Sequence, residues 1–251
     1  MRQSHLKPYA AFLAAAMLAL PAPASATDGR IEKSARNSYN FKTYLKDDAI
    51  QVAASGGVVT LTGSVSEEYH KSLAQETVAG LPGVKSVNNL LTVKGEQPAE
   101  RSDAWITLKV KTALAFHRNV RASGTEVRTV DGVVTLTGSA DSDAQKELTA
   151  QYAKEVEGVS AVRNEMVVQD GTPDRTLAEK VDDASITAQI KTSLLFHKST
   201  HALATRVITR NGAVTLRGAA ANAAEKDLVT RLAEDVRGVK RVDNQMAVPS
   251  S

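Results

Sequence analysis

A seven-residue segment occurs three times in this chain and constrains its fold more than any other feature. The segment has the pattern Gly-x-Val-Thr-Leu-x-Gly and occupies residues 57–63, 132–138 and 212–218. A further glycine follows twenty residues after each copy, and an asparagine follows six residues after that glycine. Self-similarity at a regular spacing is typical of repeated structural units. We therefore predict three tandem copies of one small module.

The repeats also suggest where the modules begin and end. We predict modules at residues 27–93, 103–168 and 183–248, joined by polar linkers at 94–102 and 169–182. The first module is expected to have a truncated or divergent first helix. Alignment of Thr43–Leu45 with Thr112–Leu114 leaves about six residues missing before its first strand.

Each module is predicted to fold as helix, β-hairpin, helix and strand. Apolar residues recur at i, i+4 and i+8 in the first helix, as in Ile106, Val110 and Leu114. Asp131-Gly132 and Asn211-Gly212 are strong signals for two-residue hairpin turns. The predicted fold class is therefore α/β (α+β), an αββαβ unit with two helices on one face of a three-stranded mixed sheet.

Six glycines recur at equivalent positions and are interpreted as structural. Three of them close the hairpin segment, and the other three are placed at the C-cap of the second helix. These positions are Gly63, Gly138 and Gly218, and then Gly83, Gly158 and Gly238.

The first 26 residues are typical of a secretory signal. Arg2 and Lys7 are basic, residues 9–20 are almost wholly apolar, and Ala24-Ser25-Ala26 provides small residues before a cut. We expect cleavage after Ala26 and export to a bacterial periplasm. Since the chain contains no cysteine, a lipidated N-terminal cysteine is not expected.

No motif in the sequence indicates catalysis, a cofactor or a metal. Nucleotide-binding loops, zinc-protease motifs and nucleophile elbows are all missing from the sequence. His197 and His201 have i, i+4 spacing, but they lie where a helix should end, without a nearby carboxylate. Asp182-Asp183 is interpreted as a helix cap rather than as an acid pair.

Charge is concentrated in the third module. Removal of the signal lowers the net charge from +3 to +1, whereas the three modules carry 0, −1 and +4. Strand alternation places three arginines and an isoleucine on the sheet face that points away from the helices. The candidate lipid-contact residues are Arg206, Ile208, Arg210, Arg217, Lys240 and Arg241.

The repeated motifs resemble the BON domain family. The resemblance rests on the Gly-x-Val-Thr-Leu-x-Gly segment, the Val-Asp-Asp-Ala-Ser-Ile-Thr sequence at 181–187, and the Gly-Val-x-x-Val after the second helix. The absence of a lipidation cysteine makes the chain similar to the soluble, osmotically inducible type of this family. The resemblance implies a non-enzymatic envelope protein that binds phospholipid or membrane surfaces under osmotic stress. It also implies, in some cases, chaperone-like support of other proteins.

Two functions therefore remain open at the level of sequence. The first is binding of anionic phospholipid by the basic face of the third module, without cofactor or turnover. The second is a chaperone-like or scaffold role, in which exposed sheet edges bind envelope proteins. Nucleic acid is not an expected partner of an almost neutral exported chain. The oligomeric state, the identity of the lipid and the relative orientation of the modules are not determined by the sequence.

Overall fold

The computed structural model describes residues 26–95, 98–169, 180–197, 199–200 and 205–249. Within these residues the chain forms three similar modules, each with helices packed on one face of a small mixed sheet. The predicted fold class is confirmed.

The first module contains three helices and four strands. They are α1 (Ala26–Asn37), α2 (Tyr39–Thr43), β1 (Ala49–Ser55), β2 (Val58–Val65), α3 (Glu68–Ala79), β3 (Ser86–Asn89) and β4 (Thr92–Val93).

The second module repeats this order with one continuous first helix. Its elements are α4 (Asp103–Phe116), β5 (Thr125–Val130), β6 (Val133–Ala140), α5 (Asp143–Glu155), β7 (Ala161–Asn164) and β8 (Val167–Val168). The third module consists of α6 (Asp183–Phe196), β9 (Thr205–Arg210), β10 (Ala213–Gly218), α7 (Ala223–Glu234) and β11 (Arg241–Asn244).

Each sheet has the same topology. The first two strands form an antiparallel hairpin, and the strand after the second helix pairs in parallel with the second hairpin strand. The recurring asparagine explains why this last strand is interrupted in each module. In the second module, Asn164 donates to the carbonyl of Lys146 and accepts from the backbone N–H of Met166, so it holds a local break in the ladder.

The hairpin turns are tied to the start of the first helix by a carboxylate. In the third module, Asp183 accepts hydrogen bonds from the backbone N–H groups of Asn211 and Gly212 at 2.6 and 2.8 Å. Asn211 and Gly212 both have positive φ, at 52° and 77°, as the predicted two-residue turn requires. Asp182, one residue earlier, accepts from Ser185 N–H and is the predicted N-cap.

The expectation of missing residues in the first module is wrong. Asp28 binds the N–H groups of Gly56 and Gly57 as Asp183 binds those of its own turn. Its distance from the turn along the chain is the same as in the other modules, so no residues are missing. The first helix differs because it is interrupted at Ser38 and continues as α2.

The assignment of the second set of glycines to helix C-caps is also wrong. The second helices end at Ala79, Glu155 and Glu234, three or four residues before the glycine. Each glycine instead occupies the third position of a tight turn, as shown by the hydrogen bond from Val159 N–H to the Val156 carbonyl. Gly158 has a φ of 86°, which favours glycine at this position of a turn.

The second and third modules share one hydrophobic core. His117 pairs with Val236 and Val156 pairs with His197 through isolated antiparallel bridges. His117 and His197 are 80 residues apart, and so are Val156 and Val236. The two bridges are therefore related to each other as equivalent contacts are across the two-fold axis of a dimer.

The first module packs on the side of the third through α3 and α6. Asn40 is fully buried between them, where it donates to Thr77 at 2.8 Å and accepts from Gln189 at 2.8 Å. Tyr39 N–H donates to Asp182, and Lys191 forms an ion pair with Glu76 at 2.7 Å. The helix α6 is therefore buried on both sides.

Candidate functional site

The outer face of the third sheet carries the predicted basic residues. Because strand residues alternate between the two faces, the burial of Val207, Val214 and Leu216 against the helices turns their neighbours outward. Five of the six predicted residues line one open groove of about 620 Å³, together with Asn211, Ala213 and Thr215: Ile208, Arg210, Arg217, Lys240 and Arg241.

The strand register explains how these cations come together. Arg241 on β11 lies beside Ala213 on β10, and Ala213 lies beside Arg210 on β9. Two arginines therefore flank a small residue across the sheet. Lys240 joins them because its backbone N–H is bonded to Gly212 at the hairpin turn, at 2.8 Å.

Arg206 is the one predicted residue that does not line this groove. It is exposed on the outer edge of β9, opposite Arg217. The Arg217 guanidinium donates to Gln245 Oε1 at 2.9 Å, and Gln245 donates to Asp243 at 2.6 Å. Asp243 thus places one carboxylate at the β11 side of an otherwise basic face.

The equivalent faces of the other modules have a different chemistry. In the second module, Arg128 and Arg163 share the face with Glu126, Asp131 and Glu165. In the first module the outward residues of β1 are neutral, namely Gln51, Ala53 and Ser55. The groove of the third module is therefore set apart by several cations without a lining carboxylate.

A Ser–His–Asp cluster occurs in the first module, and no sequence motif indicates it. His70 Nδ1 lies 2.5 Å from Asp48 Oδ2 and 3.2 Å from Ser66 Oγ. A hydrolytic triad needs the carboxylate and the hydroxyl on different ring nitrogens. Here both contact the same nitrogen, and Ser66 N–H also bonds Asp48 at 2.7 Å. The arrangement ties the loop before α3 to the residues before β1.

A second polar cluster is buried at the two-fold contact between the second and third modules. His117 stacks on Tyr152 with ring centroids 3.7 Å apart, and its Nδ1 lies 3.0 Å from Asp235 Oδ2, outside hydrogen-bond geometry. Burial, with Asp235 as a further cause, raises the pKa of Tyr152. His197 faces both rings, and burial lowers its pKa to about 3.

The described residues contain no group of three or more His, Cys, Asp or Glu side chains placed to hold a metal ion. His197 is buried in the module contact, and its i+4 partner in the sequence, His201, lies outside the described residues. Among the helices that the structure describes, none has the length and hydrophobicity to cross a bilayer.

Comparison with known proteins gives several relatives. Osmotically-inducible protein Y of Escherichia coli is 35% identical over 144 residues, which cover 57% of this chain and 71% of that protein. A 21 kDa hemolysin of Actinobacillus pleuropneumoniae is 33% identical, over 51% of this chain and 68% of the hemolysin. The outer membrane lipoprotein DolP of Haemophilus influenzae is 28% identical, over 56% of this chain and 71% of DolP.

The family assignment rests on all three modules. The BON domain model matches residues 27–95, 102–170 and 182–250, which together make up most of the chain. The protein belongs to the BON domain family.

Proposed function

We propose that this protein is a non-enzymatic component of the bacterial envelope that binds anionic phospholipid through the groove of its third module. The observation that carries the proposal is the convergence of Arg210, Arg217, Lys240 and Arg241 around Ile208 in one open groove. Phosphate oxygens match these cations, and the isoleucine can contact the apolar part of the interface.

The relatives support the envelope setting. One of them is named for osmotic induction and another as an outer membrane lipoprotein. We propose that residues 1–26 direct export and are removed after Ala26, so that the three modules act in the periplasm as a stress-response protein. Edman sequencing of protein recovered from the periplasm would test the cut, with Thr27 expected as the first residue.

The expected binding energy is modest. Each basic side chain close to an anionic membrane contributes about 1 kcal/mol. The groove should therefore give weak association, which decreases as added salt screens the charges.

The test is co-sedimentation of residues 27–251 with anionic and neutral liposomes at low and high salt. Replacement of Arg206, Arg210 and Arg217 by serine should weaken binding to anionic vesicles by up to about 3 kcal/mol. All three side chains are exposed, so the variant should fold normally. The matched control replaces Arg128 and Arg163, on the same face of the second module, and should bind as the wild type does.

Binding by the triple variant at wild-type strength would refute the assignment of the site. Association that persists at high salt and does not need anionic lipid would instead favour the second function, binding of envelope proteins. In that case suppression of client aggregation would be the next measurement.

A further inference from the structure

The two-fold relation between the second and third modules gives α4 and α6 equivalent surfaces, but only one of them is covered by a helix. On α6, five residues lie against the first module and are all buried: Ala184, Ser185, Ala188, Gln189 and Thr192. The helix α3 covers this face so closely that a side chain added at Gly80 would come within 3.2 Å of Ala184.

The corresponding residues of α4 line an open groove. The equivalent residues of α4 lie 80 positions earlier in the sequence and are Ala104, Trp105, Leu108, Lys109 and Thr112. Four of these five bound a groove of about 450 Å³. Trp105, Leu108 and Lys109 are half-buried, Ala104 beside them is exposed, and Thr112 is buried. Leu195 and Phe196 of α6 form the far wall, and Leu195 is 45% exposed. The lining is completed by Glu68 and Tyr69 of α3 and by Pro98 and Glu100 of the first linker.

From this equivalence we propose that the α4 groove is a docking site for an amphipathic helix of another protein. The inference is separate from the lipid site, since it involves different residues on different modules. The equivalent surface of α6 already binds a helix, which shows that this part of the module accepts one. Trp105 and Leu108 replace Ser185 and Ala188, so the α4 surface is more apolar than its occupied counterpart.

The charges around the groove specify the partner further. Lys191 of α6 binds Glu76 of α3 at 2.7 Å, and the equivalent residue of α4 is Lys111. Lys111 is exposed and forms no ion pair with the described residues. Lys109 is already engaged, because it lies over the Trp105 ring at 3.8 Å and pairs with Glu157 at 3.7 Å. Glu68 and Glu100 also line the groove. The incoming helix should therefore carry a carboxylate that meets Lys111, and not one beside these two acidic residues.

The described helices of a second copy do not offer such an apolar stripe. Among the exposed large apolar residues of the described chain, only Leu195 lies on a helix, and it is part of the groove itself. The others lie on strands or in loops: Val58, Leu90, Val130, Val167 and Val248. Apart from the α4 surface itself, the apolar faces of the described helices are packed in the two hydrophobic cores. We therefore assign the apolar helical stripe to a different protein.

The test uses the tryptophan as a local reporter. Trp105 is the single tryptophan of the chain, so its fluorescence reports on this groove alone. The probe is a capped synthetic peptide of residues 66–83, which contains α3, the helix that occupies the equivalent site. In the intact protein the α6 site is already filled by the chain's own α3. We expect a saturable change in Trp105 emission when the peptide is added to residues 27–251.

Charge exchange makes the test specific. Lys111→Glu should weaken binding of the peptide by about fivefold, since an attraction between exposed charges becomes a repulsion. A peptide carrying Glu76→Lys should restore binding to that variant. The control Lys33→Glu, on the exposed surface of α1, should bind the original peptide normally.

Three results would overturn the proposal. The first is a lack of saturable change in emission, or equal binding by the Lys111 variant. The second is an emission change that depends on protein concentration without peptide, which would indicate self-association. The third is displacement of the peptide by monomeric lysophospholipid with no dependence on Lys111, which would indicate an acyl-chain pocket. The serine triple variant of the lipid site should bind the peptide normally, so the two proposals can fail independently.

Discussion

Acid should weaken the contact between the second and third modules, because His197 is buried there as a neutral ring. The residue is 3% exposed, and neither ring nitrogen has a hydrogen-bond partner within the described part of the chain. The groups that face it are the ring of His117 and the phenol of Tyr152, with Asp235 behind His117. Burial lowers the pKa of His197 from 6.5 to about 3, and the proximity of His117 contributes.

The size of the effect follows from the difference between the folded and unfolded pKa values. Because the unfolded chain binds the proton more readily, the contribution of His197 to stability is complete above pH 6.5. It decreases as the pH falls towards a folded-state pKa of about 3. Each pH unit in this window corresponds to about 1.4 kcal/mol. Lowering the pH from about 7.5 to about 5 should therefore remove about 2 kcal/mol of unfolding free energy through this residue.

The measurement is urea unfolding of the wild type and of His197→Gln at both pH values and constant ionic strength. The variant retains every other titrating group, so the difference between the two pH responses isolates His197. We expect the wild type to lose about 2 kcal/mol more than the variant on acidification. Equal losses in the two proteins would show that the ring is not held neutral by its surroundings.

Four further predictions concern stability. Gly138→Ala should cost at least about 2 kcal/mol in thermal melting, because its φ is 109° and the new carbon would lie 2.1 Å from a carbonyl oxygen. Gly29→Ala in α1, with no atom within 4 Å, should instead stabilise by about 0.5 kcal/mol. Asp183→Ala should lower the free energy of unfolding by about 1–3 kcal/mol, because two N–H groups of the hairpin turn lose their acceptor. The control Asp227→Ala, on the exposed side of α7, should leave it nearly unchanged. Asn40→Ala should expose the first module to limited proteolysis at lower denaturant concentrations, because its buried amide partners on two other helices are left unpaired.

Local features of the fold could be predicted because they depend on neighbouring residues. The Asn211-Gly212 turn requires two positive φ values, and few residue pairs adopt them easily. The alternation around Val214 and Leu216 placed these two residues in the core, where they are 1% and 0% exposed. The same alternation placed Arg210 and Arg217 on the opposite face, so the groove itself was predictable.

The first module was misaligned because its first helix contains weaker signals. The position of Val110 is taken by Ala35, which is fully buried but too small to mark an apolar stripe. Ser38 then interrupts the helix, and the apolar spacing no longer follows a single helical period. The equivalence of Asp28 with Asp103 was the signal that would have corrected the alignment, since both carboxylates bind the N–H groups of their hairpin turn.

The contacts between modules could not be predicted, because they join residues far apart in sequence through their shape. Asn40 and Gln189 are 149 residues apart, and each is an ordinary polar residue on a helix. Their burial depends on the close approach of α3 to α6, which small residues such as Ala184 and Gly80 allow. No local pattern distinguishes these small residues from those of any other helix surface.

The three modules thus differ in their surfaces much more than in their cores. The carboxylate at the hairpin turn, the positive-φ glycines and the interrupting asparagine recur in each copy because the fold needs them. Residues that face outward are free of that requirement, and the copies have diverged there in opposite directions. The α6 surface has acquired small residues that admit a helix of the same chain, whereas Trp105 and Leu108 leave the α4 surface apolar and open. A tandem of equivalent folds with unequal surfaces can present two different binding sites without altering the structure of either module.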